Sequence, residues 1–509
     1  MQPFFRTLTG VLAAGVLAGA LTQGAAAAAA GPAGRSATAS AAIDWKPCPK
    51  DATAECGSLR LPVDWARPSG EQFELAVARR KAADPDRRVG VLFVNPGGPG
   101  DSGVDFAVRR ATGQFSADIL ERFDIVGFDP RGVGGSQPVK CSTELLDRRP
   151  SAYPRDQAEF ERLAAYNRAL REDCRRHSGP VFDHADTLSV VRDMDALRSS
   201  LGEQKINYFG HSYGTLIGQQ YAERYGDRIR SMALTANVDH SIGAREFMVS
   251  SAAAAEDSFH QFVRWCDRTP SCALHGRDVT AVWDGVLARA DRGELRDPEN
   301  PDTLLTAHAI TLVAFKAFYD PDWEELATYV AGLDAQERRA APPRTATTQR
   351  TDQQTDQQTE EKPFHAVFCQ DWNIRTEDYQ EYAQLTAAEL RAAPHMRGSP
   401  RVHDAVVGCV GWPEKVNNPQ HRLRIPGTTP RILMLHSLHD PANHFTWAAN
   451  IHRQTRGTTV LLPYEGAGHS VYGRTDCTRD AVDAYLTERR IPSPGSRCAA
   501  AEKQALTGG

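Results

Sequence analysis

Residues 208–218 read "YFGHSYGTLIG" and place Ser212 between Gly210 and Gly214 in the spacing G-x-S-x-G. In a chain of 509 residues with 40 glycines, that spacing alone decides little. The flanks decide more. "INYFG" before it has the composition of a short buried strand, and "YGTLIGQQYAERY" after it reads as a helix. A sharp strand-to-helix turn lifts a serine hydroxyl clear of a sheet, and glycines two positions either side relieve crowding between the two elements. The helix N-terminus would also favour negative charge developing beside Ser212.

The same design recurs on both sides of the motif. "VGVLFVNPGG" (89–98) is a continuous apolar run ending in a Pro-Gly turn, as expected of a strand buried on both faces, and "FDIVGFDPRGVGGS" (123–136) repeats it. "DTLSVVRDMDALRSSLG" puts Leu188, Val191, Met194, Leu197 and Leu201 on one helical stripe, with Asp186 or Thr187 as the cap and Gly202 as the stop. Strands alternating with helices predict an α/β fold with a mostly parallel central sheet and helices on both faces. The alternation lapses over 239–425, where helical periodicity dominates, and returns with "RILMLHSLHD" and "TTVLLPYEGAGHS". The chain therefore reads as core (41–238), mainly helical cap insertion (239–425) and core again (426–509). Within the insertion, 344–361 is a low-complexity tract with a repeated "TDQQ" and is expected to be a solvated loop.

A serine hydroxyl is a weak nucleophile at neutral pH; it needs a base, and the base needs orienting. Asp440 follows the strand "RILMLHS" and His469 follows "TTVLLPY". Loops leaving the C-terminal ends of parallel strands share one edge of the sheet, so both can converge on Ser212. His436, His439 and His444 surround Asp440 but lie outside the final loop, and His211 is expected to shape the pocket floor. An oxyanion hole needs two preorganised N–H donors. Tyr213, following the serine, supplies one; Gly98 in "NPGGPGDSG" is the candidate for the other, with Gly97 beside it.

Composition narrows the remaining classes. A formal net charge of -5 with scattered basic residues argues against a nucleic-acid partner. The first 30 residues carry Arg6, an apolar run from Leu8 to Leu21 and small residues suited to cleavage, which predicts a secretory signal peptide (1–30) followed by a disordered tail (31–40) and no membrane attachment after cleavage. Ten cysteines fit an oxidising, extracellular destination, and pairing in sequence order would make every loop local. No C-x-x-C occurs, so neither a metal nor another cofactor is expected.

Taken together, "VNPGGPGDSG", "FDIVGFDPRGVGGS", "INYFGHSYGT", "LHDPANH" and "GAGHSVYG" resemble the secreted tripeptidyl aminopeptidases among the proline-iminopeptidase-like α/β-hydrolases of actinobacteria. The resemblance spans nearly all of the mature chain. It implies the α/β-hydrolase fold with a helical cap, a serine peptidase or esterase mechanism using Ser212, Asp440 and His469, and cleavage near a free N-terminus. The runner-up is an esterase acting on small esters with the same three residues. Selectivity for an N-terminal amine would need a carboxylate in the cap, for which Glu246, Glu256, Glu324 and Glu325 are candidates. Two runs depart from the family pattern: "DPANHF" stands where relatives have D-x-x-T-P, and "LTANVDHS" where they have a run like LDG-x-VDP.

Overall fold

A computed structural model describes residues 43–321, 323–336, 358–413 and 415–501. The expected signal peptide, the tail and positions 344–357 of the low-complexity tract lie outside them. Among the described residues, nine strands form one sheet: β1 (Lys46–Cys48), β2 (Asp51–Pro62), β3 (Gln72–Arg80), β4 (Gly90–Asn95), β5 (Phe123–Phe128), β6 (Ile206–His211), β7 (Ile229–Thr235), β8 (Ile432–His439) and β9 (Thr459–Ala467). Their order is β1-β2-β3-β5-β4-β6-β7-β8-β9. The first three strands and the β3–β5 join are antiparallel; every pairing from β5 to β9 is parallel. The parallel half matches the alternation in the sequence.

Burial explains why these strands read as continuous apolar runs. Every residue of β4 is buried, and successive side chains enter opposite cores. Val91 and Phe93 pack with Tyr208 and Met232 against Val191, Met194 and Leu197 of α1 (Thr187–Ser200) and Ile217 and Tyr221 of α2 (Gly214–Tyr225). Leu92 and Val94 face the other way, with Phe209, Leu433 and Leu435, under Tyr485 and Leu486 of the helix Asp476–Glu488. Asp186 caps α1 by accepting a hydrogen bond from Ser189 N, as its position predicted.

The "FDPRG" run following β5 proves to be architectural. Arg131 and Asp193 form a fully buried ion pair, with Arg131 also donating to Val63 O and Pro62 O. Removing one member of such a pair strands a buried charge and costs about 3–5 kcal/mol. Asp129 accepts from Ser102 Oγ, Val104 N and Gly135 N, so the loop after β4 is tied to the loop after β5.

Among the described residues between β7 and β8, no strand enters the large sheet. Helices α3 (Ala244–Arg268), α4 (Val279–Asp291), α5 (Ala307–Tyr319) and α6 (Trp323–Ala335) share an apolar core that includes Phe259, Trp283, Ile310 and Phe315. A second cluster joins Phe247 of α3 to Phe368 of α7 (Pro363–Asp371), to Val406 of α8 (Pro400–Val407) and to Trp372, and it reaches Tyr213 and Leu216 beside the G-x-S-x-G motif. One correction falls here. Thr359–Glu361, the end of the expected loop, is a strand paired antiparallel with Lys140–Ser142. Its charged side chains hid a backbone that completes its hydrogen bonds on a neighbouring edge. The cysteines pair in sequence order: 48–56, 141–174, 266–272, 369–409 and 477–498. No described helix is long and apolar enough to cross a membrane.

Candidate active site

Ser212 stands between the end of β6 and the start of α2 with φ 53, a left-handed conformation that a non-glycine residue holds only when its surroundings impose it. The two glycines are required by contact. A methyl group on Gly210 would lie 2.7 Å from Gly214 O, and one on Gly214 would lie 2.5 Å from Asn95 O at the end of β4. The motif is therefore a close three-way packing of strand, turn and neighbouring strand.

The loops after β8 and β9 bring Asp440 and His469 together. His469 Nδ1 lies 2.9 Å from both carboxylate oxygens of Asp440, and both residues are buried. This places the Nδ1 proton toward Asp440 and leaves Nε2 as the free ring nitrogen. Burial opposes the charged form of Asp440, but the adjacent His469 and the Asn443 N–H outweigh it and hold the carboxyl below its ordinary value. Asn443 also fixes this loop: its Nδ2 donates to Ala236 O and its carbonyl accepts from His436 Nε2. The His469 loop is held by His469 N donating to Tyr319 O of α5 and Gly468 N donating to His439 O.

His211 is not a rival base. Its ring meets His469 edge to face at 4.7 Å, and burial followed by repulsion from His469 pushes its pKa down to about 3. It stays neutral and forms the pocket floor. Ser212 and His469 line one cavity of about 350 Å³, together with His211 and Tyr472. Ser212 Oγ itself makes no side-chain hydrogen bond among the described residues, and such contacts often tighten only when substrate is bound.

The backbone donors sort themselves by what they already bond. Ser212 N donates to Thr235 O, and Gly97 N donates to Asn95 Oδ1. Tyr213 N and Gly98 N have no partner among the described residues, so of the two candidate glycines it is Gly98 whose N–H is uncommitted. Gly97 is there for approach: a methyl group on it would lie 2.9 Å from both Tyr213 N and Ser212 Cβ. Tyr213 is further secured through its side chain. Tyr213 Oη donates to Asp371 Oδ2 at 2.7 Å, and Asp371 also accepts from Thr187 N, Thr187 Oγ1 and Asn418 Nδ2. Burial, then the nearby Asp186, push the Asp371 carboxyl up to about 7.

The sequence pattern of the alpha/beta hydrolase fold matches residues 90–472. The chain belongs to the alpha/beta hydrolase fold family. It is 30% identical to serine protease Hip1 of Mycobacterium tuberculosis over 90% of this chain and 91% of that protein. Tripeptidyl aminopeptidase of Streptomyces lividans is 30% identical over 91% and 87% of the two chains, and carboxylesterase B of M. tuberculosis 30% over 88% and 86%. The kinship implied by the sequence motifs thus holds, and it includes both a peptidase and an esterase name.

Within this hydrolase fold the four candidate cap carboxylates do not reach the site. Glu256 accepts from the backbone N–H groups of His395 and Met396; Glu324 accepts from Ser271 Oγ at the surface; neither Glu246 nor Glu325 lines a cavity containing Ser212. A second cavity meets Ser212 from the other side and is lined by Gly98, Tyr213, Tyr319 and a set of aromatic residues. The carboxylate that lines both cavities is Asp101, in the "NPGGPGDSG" loop. Asp101 has no distinguishing signal in the sequence, since an aspartate in a Gly-Pro loop has the composition of an ordinary turn. Asp371 carried no local signal, since its partners lie 47 to 184 positions away.

Proposed function

We propose that this protein is a secreted serine exopeptidase that cleaves peptides near a free N-terminus through an acyl-enzyme on Ser212. His469 takes the Ser212 proton as Oγ attacks the scissile carbonyl. Tyr213 N–H and Gly98 N–H hold the resulting oxyanion. His469 then protonates the leaving amine and activates the water that releases the acyl group, while Asp440 orients the imidazole and stabilises its charge. The peptidase and aminopeptidase names of Hip1 and the Streptomyces relative favour peptides.

The observation that carries amine selectivity is Asp101. Its carboxylate takes no hydrogen bond or ion pair among the described residues, and no other carboxylate lines either cavity at Ser212. That carboxylate, which shares both cavities with the Arg401 guanidinium, suits a substrate ammonium. A charge-assisted hydrogen bond of that kind contributes about 1.5–3 kcal/mol, roughly ten- to a hundredfold in binding. The second reading, an esterase, is favoured by the carboxylesterase B relative. Peptide p-nitroanilides with free and acetylated N-termini separate the two. The proposal expects kcat/KM at least about tenfold higher for the free series, and loss of most of that ratio in Asp101→Asn. Equal rates on both series, with faster turnover of esters, would establish the esterase instead.

A further inference from the structure

The two cavities that meet at Ser212 differ in one decisive residue. His469 lines the larger and is absent from the smaller. The leaving group must lie where His469 can protonate it, so it occupies the His469 side. The acyl group is left with the other cavity, which the oxyanion donors Tyr213 and Gly98 also border. This assignment rests on the acyl-enzyme reading above.

That second cavity has a volume of about 220 Å³ and is walled by Phe247, Phe315, Phe364, Phe368, Trp372 and Trp447. The rings brace one another: Phe247 lies 4.8 Å from Trp372 and stacks on Trp447 at 5.2 Å, while Phe368 stacks on Phe364 at 5.5 Å. The Cys369–Cys409 disulfide fixes α7 to the chain just beyond α8, so two walls are covalently joined. An apolar cavity of about 150 Å³ already accommodates benzene. A 220 Å³ space with one wall of preset rings, its other lining including Asp101, Arg401 and Asn443, leaves a small acyl side chain short of ring contacts and lets a phenyl ring make edge and face contacts.

We infer that this cavity is the acyl-side specificity pocket and that the preferred substrates present a large aromatic or branched apolar residue immediately before the scissile bond. Asp101 also lines this cavity, and its carboxylate is the candidate partner for the amine of that residue when the residue is N-terminal.

The test compares phenylalanyl, leucyl and alanyl p-nitroanilides on the whole enzyme, with fluorophosphonate labelling of Ser212 run in parallel. Phenylalanyl or leucyl substrates should exceed alanyl by about tenfold or more in kcat/KM, the discrimination that a few methylenes give in an apolar pocket. Val402→Trp, which fills the pocket from α8, should reverse that order while labelling by a small fluorophosphonate persists. Labelling with alanyl preferred, or a Val402→Trp enzyme that keeps the wild-type order, overturns the pocket assignment alone. Absence of labelling in the wild type overturns the acyl-enzyme reading and the pocket with it.

Discussion

Ser212, Asp440 and His469 each follow the C-terminal end of a parallel strand, whereas the walls of the acyl cavity come mainly from helices inserted between β7 and β8. The two regions are built to different rules. The strand-end loops are held by backbone hydrogen bonds and packed so closely that a methyl group added at Gly97, Gly210 or Gly214 would come within 3 Å of a neighbour. The helical region instead offers rings and a disulfide that can be exchanged without touching the reacting atoms. On the proposed reading, chemistry and selectivity occupy separable parts of the chain, joined at Tyr213, whose side chain is held by Asp371 of the helical region.

That division can be broken by substitution. Asp440→Asn should lower kcat about ten-thousandfold by favouring the wrong imidazole tautomer, with little change in KM. Asp371→Asn, in the helical region and out of reach of substrate, should cost about 10- to 100-fold in kcat, less than outright loss of an oxyanion donor. Tyr213→Phe removes the same hydrogen bond, so the double variant should be no slower than the worse single one. A purely structural role for Asp371 would instead lower thermal stability and leave kcat per labelled site unchanged.

A smaller effect concerns acid. His211, His240 and His365 are buried neutral, with pKa values pushed down to about 3, 4 and 4 from 6.5, chiefly by burial. Below pH 6.5 the unfolded chain binds protons that the folded one refuses, so stability should fall as pH drops from 6.5 toward 4. Asp371, raised to about 7, works in the opposite direction: its contribution is present below 3.8 and is lost as pH rises through 7. The raised His403 also opposes the trend. The contribution of one such histidine is read by difference: the fall in melting temperature between pH 6.5 and 4 should be shallower in His365→Gln than in the wild type.

Much of the sheet region was legible because its signals are local. An apolar run ending in glycines, a capped stripe and a serine between glycines each declare themselves within about fifteen residues. Asp440 and His469 needed only the chain order of strands. The helical region gave less away. Phe247, Trp372 and Trp447 carry no mark in the sequence, because nothing in a linear pattern says which aromatic side chains face a void. Asp371 and Asn443 matter through partners far along the chain, and Asp101 hid in a loop whose glycines drew the attention. The carboxylates expected from the insertion failed for the same reason: Glu256 is spent on backbone N–H groups that only the fold brings to it.

The central claim is that Ser212 carries the acyl group. Incubating the purified protein with a fluorophosphonate and mapping the adduct by peptide mass spectrometry tests it most directly, with Ser212→Ala alongside. The account predicts one adduct on the peptide containing Ser212, loss of hydrolysis in step with labelling, and no adduct or turnover in Ser212→Ala. An adduct on another serine, or a Ser212→Ala enzyme that still cleaves peptides at wild-type rates, would contradict it.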